Sequence, residues 1–219
     1  AARMIITDNQ GRKQMRQFTI LRRDQADGGS QDMMVFFSQP ADVRDTVFRV
    51  VKHTDSDDDR WLYLPGLDLV KRISAGDKRT SFVGSHFFYE DVSGRNTELD
   101  DFTLQEQNAD HYVLEGKPKD PASVEFSRYL VKIDKSSMLP VEIRFFDHQA
   151  REFRKVEALK VDNIDGHPTV THSRVQDLLN GGQTEMQFRF IKYDLGLPED
   201  IFSERSLRTP PRDWLNLKD

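Results

Sequence analysis

The chain has 219 residues, 37% of them hydrophobic and 32% charged, with a mean hydropathy of −0.68 despite 15 phenylalanines. Its net charge of −5, from 32 basic and 37 acidic residues spread along the chain, excludes the clustered basic footprint of a nucleic-acid binder. Cysteine is absent, which excludes disulfides, thiolate metal sites and cysteine nucleophiles, and no apolar run approaches the roughly 20 residues of a helical membrane span.

Taken in order, the chain is a procession of strands. Met4 to Thr7 already reads as one, an abrupt opening that leads us to expect an upstream portion with a signal peptide. A turn at Asp8-Asn9-Gln10-Gly11 leads to a long strand over Arg12 to Arg23, with Phe18 and Ile20 on one face. Asp27-Gly28-Gly29-Ser30 then turns the chain into Asp32 to Phe37, a hairpin. Thr46 to His53 is the next strand. The acids Asp55, Asp57, Asp58 and Asp59 alternate as in a calcium loop, but the glycine and the closing glutamate of such a loop are missing, so they read as a solvated hairpin tip.

An aromatic strand follows at Trp61-Leu62-Tyr63-Leu64, turned by Pro65-Gly66 into a returning strand from Leu69 to Ile73. The segment Phe82 to Tyr89 is rich in aromatic residues but keeps neither a strand nor a helix period, so it reads either as a loop packed on the core or as the cover of a hydrophobic cavity. Beyond it, Phe102–Glu106 and His111–Gly116 form a hairpin. Phe126 to Asp134 alternates with Tyr129, Val131 and Ile133 on one face. Strands over Val141–Phe146, Arg151–Val161, Thr169–Leu178 and Gln183–Tyr193 complete the series, each separated from the next by a polar or glycine-bearing turn. In the last of them Met186, Phe188 and Phe190 share a face. Short helical pieces are expected near 82–92 and 198–206. The reading is one mainly β domain over residues 1–219. It is a single curved antiparallel sheet of roughly ten strands.

Several stretches, in this order, resemble the LolA/LolB superfamily of bacterial lipoprotein carriers, in its outer membrane lipoprotein-sorting branch. They are Phe37-Ser38-Gln39-Pro40-Ala41-Asp42-Val43, Trp61-Leu62-Tyr63-Leu64-Pro65, Val70-Lys71-Arg72-Ile73, Ser81-Phe82-Val83-Gly84-Ser85, Tyr89-Glu90-Asp91-Val92, Leu139-Pro140 and Phe202 to Leu207. The resemblance implies an open half-barrel whose concave side is roofed by short helices or loops and shelters acyl chains. It also implies a periplasmic location in a Gram-negative cell, and a signal peptide and an N-terminal helix ahead of the first strand. Two positions depart from the pattern: Asp45 replaces a small residue, often glycine, and His86-Phe87-Phe88 replaces an acidic and small polar segment. Arg49 and Arg128 both lie in strands beside apolar neighbours, and neither can be matched to the lid-latching arginine of the known carriers.

A search for chemistry finds none. Six histidines are scattered without metal-binding spacing, no nucleophile elbow or phosphate-cradling glycine loop occurs, and Glu90-Asp91 reads as a surface pair or a cap. The expectation is a protein that is not an enzyme and needs no cofactor or metal. Its partners would be lipid or lipoprotein acyl chains and an envelope exporter or outer-membrane acceptor, with no nucleic acid and no membrane span in this chain. The alternative is a non-catalytic module that docks on an envelope export complex. Strand alternation pairs Val35 with Phe37, Trp61 with Tyr63, and Phe188 with Phe190. The expected site has these six on the concave face, with Phe82, Phe87 and Phe88 closing over it. Alternation alone leaves open which faces are concave.

Overall fold

The structure is a computed structural model and describes residues 1–25 and 28–215. Asp27, the first residue of the expected turn into the third strand, lies outside the described residues. The strands are β1 (Ala2–Thr7), β2 (Lys13–Asp24), β3 (Gln31–Gln39), β4 (Val47–Lys52), β5 (Asp59–Leu64), β6 (Leu69–Ile73), β7 (Asp100–Gln107), β8 (His111–Pro118), β9 (Arg128–Asp134), β10 (Pro140–Phe146), β11 (Glu152–Ile164), β12 (His167–Asp177) and β13 (Gln183–Phe188). The α-helices are single turns: α1 (Tyr89–Ser93), α2 (Arg205–Arg208) and α3 (Arg212–Leu215).

Among the described residues there are therefore thirteen strands, not roughly ten. They hydrogen-bond as β6-β5-β4-β3-β2-β1-β13-β12-β11-β10-β9-β8-β7, one open antiparallel sheet with β6 and β7 as its end strands. Nearly every connection is a short hairpin, so consecutive strands pair with each other, except that β6 and β7 end the sheet unpaired with one another and β1 lies beside β13. The Asp165-Gly166 turn shows the local chemistry. Both residues take left-handed backbone (φ 52° and 88°), the two-residue geometry that matches strand twist, so β11 and β12 pair right up to Ile164 opposite His167. Asp45 likewise adopts φ 64° while its N–H bonds the Phe37 carbonyl, a left-handed backbone that a glycine takes without steric cost. The last strand stops at Phe188, short of the expected Tyr193. Arg189 donates its backbone N–H to the Ala1 carbonyl, and Phe190 turns left-handed at φ 54°, which ends the alternation.

The chain forms two compact units. The first comprises Ala1–Arg3, Met15–Thr80 and Phe188–Asp219. Its β3 is buried on both faces from Asp32 to Phe37, which matches its near-continuous apolar run. On one face Leu21, Met34, Phe36 and Val47 pack under Ile201, Phe202 and Leu207 of the C-terminal segment. Arg49 ties that segment down: its Nε donates to the Phe202 carbonyl at 2.7 Å, and its guanidinium stacks 4.6 Å from the Trp61 ring. At the β4–β5 tip the acids are paired rather than simply solvated. Asp58 holds Arg60 at 2.6 Å with both side chains nearly buried, Asp57 meets Lys78, and Asp59 meets His53 and Arg72.

The second unit comprises Met4–Gln14 and Ser81–Gln187. Its core gathers Val124, Phe126, Tyr129, Val131 and Phe145, with Ile133, Ile143, Phe153 and Val156 packed against them.

Candidate functional site

Register sorts the side chains of the second unit into two unlike faces. Leu104 lies opposite Leu114, Leu114 opposite Val131, Val131 opposite Ile143, Ile143 opposite Val156 and Val156 opposite Val175. Since directly opposed residues share a face, these six form one apolar row across β7 to β12. A parallel row runs through Phe102, Gly116, Tyr129 and Phe145. Burial is uneven along the apolar row. Val131 and Val175 are buried, Leu114, Ile143 and Val156 are half-buried, and Leu104 at the sheet edge is 52% exposed.

The opposite face is ionic. Glu115 pairs with Arg128, Arg144 with Glu152, Lys155 with both Glu142 and Glu157, Arg174 with Glu157, and His172 with Glu185. A sheet with one salt-bridged, wet face must bury or occupy the other.

Part of that apolar face is closed by the chain itself. Phe126 sits 5.4 Å from Tyr129 and 5.2 Å from Phe145, ring centroid to centroid, and the Tyr129 and Phe145 rings are 5.4 Å apart. Gly116 is required here, because a Cβ at that position would lie 2.4 Å from Tyr129 Cζ. Beneath the rings is a buried ionic cluster. Arg95 grips Asp100 with two hydrogen bonds (2.7 and 2.8 Å) and reaches Glu90 at 3.1 Å, while the Tyr129 hydroxyl donates to Asp100 at 2.7 Å. Burial, followed by the Asp100 carboxylate, pushes the Tyr129 phenol well above its ordinary range, so it stays a donor. Glu90 is thus a buried ion-pair partner, whereas the sequence reading offered a surface pair or a cap, and its neighbour Asp91 is the cap.

The segment Ser81 to Asp91 is pinned at many points. Phe82 N–H bonds the Phe87 carbonyl at 2.8 Å, Ser81 Oγ the Ser85 carbonyl at 2.7 Å, and Asp91 caps the Phe88 N–H at 2.6 Å. Two strands hold it from outside. Thr184 Oγ1 accepts the His86 N–H at 3.0 Å and meets His86 Nδ1 at 2.8 Å. Arg154 donates to the His86 carbonyl, pairs with Asp91, and stacks 4.3 Å from the Phe88 ring. Burial holds the His86 pKa below its ordinary value. Phe82 and Phe87 are buried, and the Phe82 and Tyr89 rings meet edge to face at 5.5 Å. Of the two readings of this stretch, the packed wall describes this geometry better than a free lid.

The strand residues singled out from sequence in the first unit do not share one face. Val35 and Phe37 are buried together, with Val35 opposite Phe48 and Phe48 opposite Leu62. Trp61 and Tyr63 alternate with Leu62, so they lie on the other face of the same strands. There Trp61 opposes Arg49, and Tyr63 packs against the cluster under the C-terminal segment. Phe188 ends β13 half-buried, and Phe190, beyond it, is 65% exposed and does not continue the Phe188 face. Phe82, Phe87 and Phe88 do come together in one loop. The row from Leu104 to Val156 was missed. Its alternation is visible within each strand, as at Tyr129, Val131 and Ile133, but which strands align is a matter of register. Among the described residues no cluster of acids and histidines is fit for a metal ion, and no helix is long and apolar enough to cross a membrane.

A protein-family profile described as "Uncharacterized protein" matches residues 29–209. No curated protein matches the chain. Among solved structures, a DUF1329 family protein from Desulfovibrio piger is 31% identical, with a TM-score of 0.86 over 94% of this chain and 89% of its own. A domain named for outer membrane lipoprotein sorting, from Vibrio parahaemolyticus, is 28% identical, with a TM-score of 0.85 over 94% and 89%. A LolA superfamily protein from Nitrosomonas europaea, 20% identical with a TM-score of 0.70 over 93% and 88%, shares the fold. The open antiparallel sheet, its short helices and these likenesses lead to one conclusion: the chain belongs to the DUF1329 family and has the LolA-like fold of the lipoprotein-sorting superfamily.

Proposed function

We propose that this protein is a non-catalytic carrier. It binds the acyl chains of lipids or lipoproteins in the periplasm and passes them from an envelope exporter toward an outer-membrane acceptor, working as a single domain over residues 1–219. The observation that carries the reading is the apolar row from Leu104 to Val175, backed by a face rich in ion pairs and left partly uncovered toward β7. The likeness to a lipoprotein-sorting domain supports it. In this reading Leu114, Val131, Ile143 and Val156 contact hydrocarbon, and Phe82, Phe87 and Phe88 form the inner wall. Val35 and Phe37 remain candidate lining residues on their own unit, whereas Trp61, Tyr63, Phe188 and Phe190 leave the proposal.

Burying hydrocarbon contributes about 0.8 kcal/mol per methylene, so a long chain supplies on the order of 10 kcal/mol before its ordering entropy is subtracted. No ion pair with the ligand is required, and affinity should vary little with salt. Titration with a fluorescent fatty acid tests this. Saturable, salt-insensitive uptake is expected, and Leu114→Ser or Ile143→Ser should each weaken it by roughly tenfold through about 1.4 kcal/mol of lost apolar contact. Absence of saturable uptake by the unmutated protein would remove the carrier reading and leave the docking module in its place.

A further inference from the structure

The strand β7 ends the sheet, and it is unlike every other strand: after Asp100, each residue from Asp101 to Gln107 is exposed. It pairs with β8 on one side only. Two large apolar side chains stand on it, Phe102 at 41% and Leu104 at 52% exposed, both on the apolar face of the second unit. Long edge strands that carry apolar residues are templates for further pairing. A bulge at Gln105, between Leu104 and Glu106, interrupts the ladder, so the regular part of the edge beyond Asp100 is Asp101-Phe102-Thr103-Leu104.

Those residues are self-complementary about Thr103. Laid antiparallel against a second copy with Thr103 opposite Thr103, Phe102 meets Leu104 twice. Phe–Leu and Thr–Thr neighbours are among the favourable cross-strand pairs. Shifting the register by one residue, so that Thr103 meets Leu104, would instead set the apolar face of one copy beside the ionic face of the other. We propose that β7 is an interface with a second copy of this chain, an isologous dimer with Thr103 on its twofold axis. The axis stands perpendicular to the paired strands, so Phe102 and Leu104 of both copies lie on one side, and the apolar row of one protomer continues into that of its partner. An interface built on one strand belongs to the small, weak class, below about 1,200 Å² in total, so the dimer forms and dissociates with concentration. This inference goes beyond the carrier reading and does not depend on it, since dimerisation is read without any lipid.

The chain has no cysteine, so an introduced one reports only on contacts between copies. Directly opposed residues of antiparallel strands have Cα atoms about 4.5–5.5 Å apart, within disulfide reach. Thr103→Cys should therefore cross-link into a covalent dimer under mild oxidation, while Met138→Cys, on an exposed turn, should not. In sedimentation velocity across a concentration series, the unmutated protein should shift from monomer to dimer. Thr103→Asp and Thr103→Lys should each lose the dimer through like charges on the axis, and an equal mixture of the two should regain it. Circular dichroism of the variants confirms that the exposed substitutions leave the sheet folded. A protein that stays monomeric at every concentration, Thr103→Cys that cross-links no faster than Met138→Cys, or a mixture that stays monomeric overturns the proposal.

Discussion

Replacing Gly116 by alanine is a sharp test of how the second unit is packed. Gly116 needs no left-handed backbone, so in open surroundings alanine would stabilise the strand by about 0.5–1 kcal/mol through chain entropy. The site is not open. The new Cβ would lie 2.4 Å from Tyr129 Cζ, 2.7 Å from Cε1 and 2.8 Å from the hydroxyl oxygen, where ordinary carbon contacts are about 3.5–4.0 Å. The ring must therefore move by an ångström or more, away from Asp100 and out of its edge-to-face contacts with Phe126 and Phe102. Overpacking of this kind costs about 1–3 kcal/mol, and losing a buried hydrogen bond to a carboxylate adds about 1.5–3 kcal/mol. Gly116→Ala should accordingly destabilise by about 3–5 kcal/mol in urea unfolding followed by far-ultraviolet circular dichroism. In a Tyr129→Ala background the same substitution should be neutral or slightly stabilising, so the two positions should show a coupling above about 2 kcal/mol. A coupling below about 0.5 kcal/mol, or a neutral Gly116→Ala in the native background, would refute the packing argument.

Three further outcomes follow from the same geometry. Arg95→Met leaves Glu90 and Asp100, both nearly without solvent exposure, short of their shared cation and should cost about 3–5 kcal/mol at neutral pH, again by urea unfolding. Arg49→Met removes the bond to the Phe202 carbonyl and the stack on Trp61. A loss of about 1–2 kcal/mol is expected, with altered emission from Trp61 and Trp214, the latter packed in the same cluster, and unchanged emission would count against the tie. His86 titrates lower folded than unfolded because burial disfavours its charge, so the unfolded chain takes up the proton first. Its contribution is present above the ordinary histidine pKa of 6.5 and is lost as pH falls from there through the depressed folded value. Stability against pH for the native protein and His86→Asn should diverge in that window, and parallel curves would contradict the assignment.

Much of the fold was legible because strand patterning is local. The period of two, the turn residues and the hairpin spacing locate β6 to the residue, and they give the other strands to within a few positions. The family resemblance was legible for the same reason, since its motifs are short and lie in one order along the chain. What local pattern cannot supply is which residues of neighbouring strands stand opposite one another. The pairs Trp61–Tyr63 and Val35–Phe37 both alternate perfectly, yet the pairing of Val35 with Phe48 and Phe48 with Leu62 puts them on opposite faces. The row from Leu104 to Val175 exists only once six strands are aligned, and Glu90 changes from a surface acid to a buried ligand of Arg95 only when α1 is folded against β7. Sequence determined the strands, their order and their superfamily, whereas only the tertiary structure decided which faces are apolar and which charges are buried. A one-residue shift of register moves every side chain of a strand to the other face, and register is set by contacts between residues far apart in the chain.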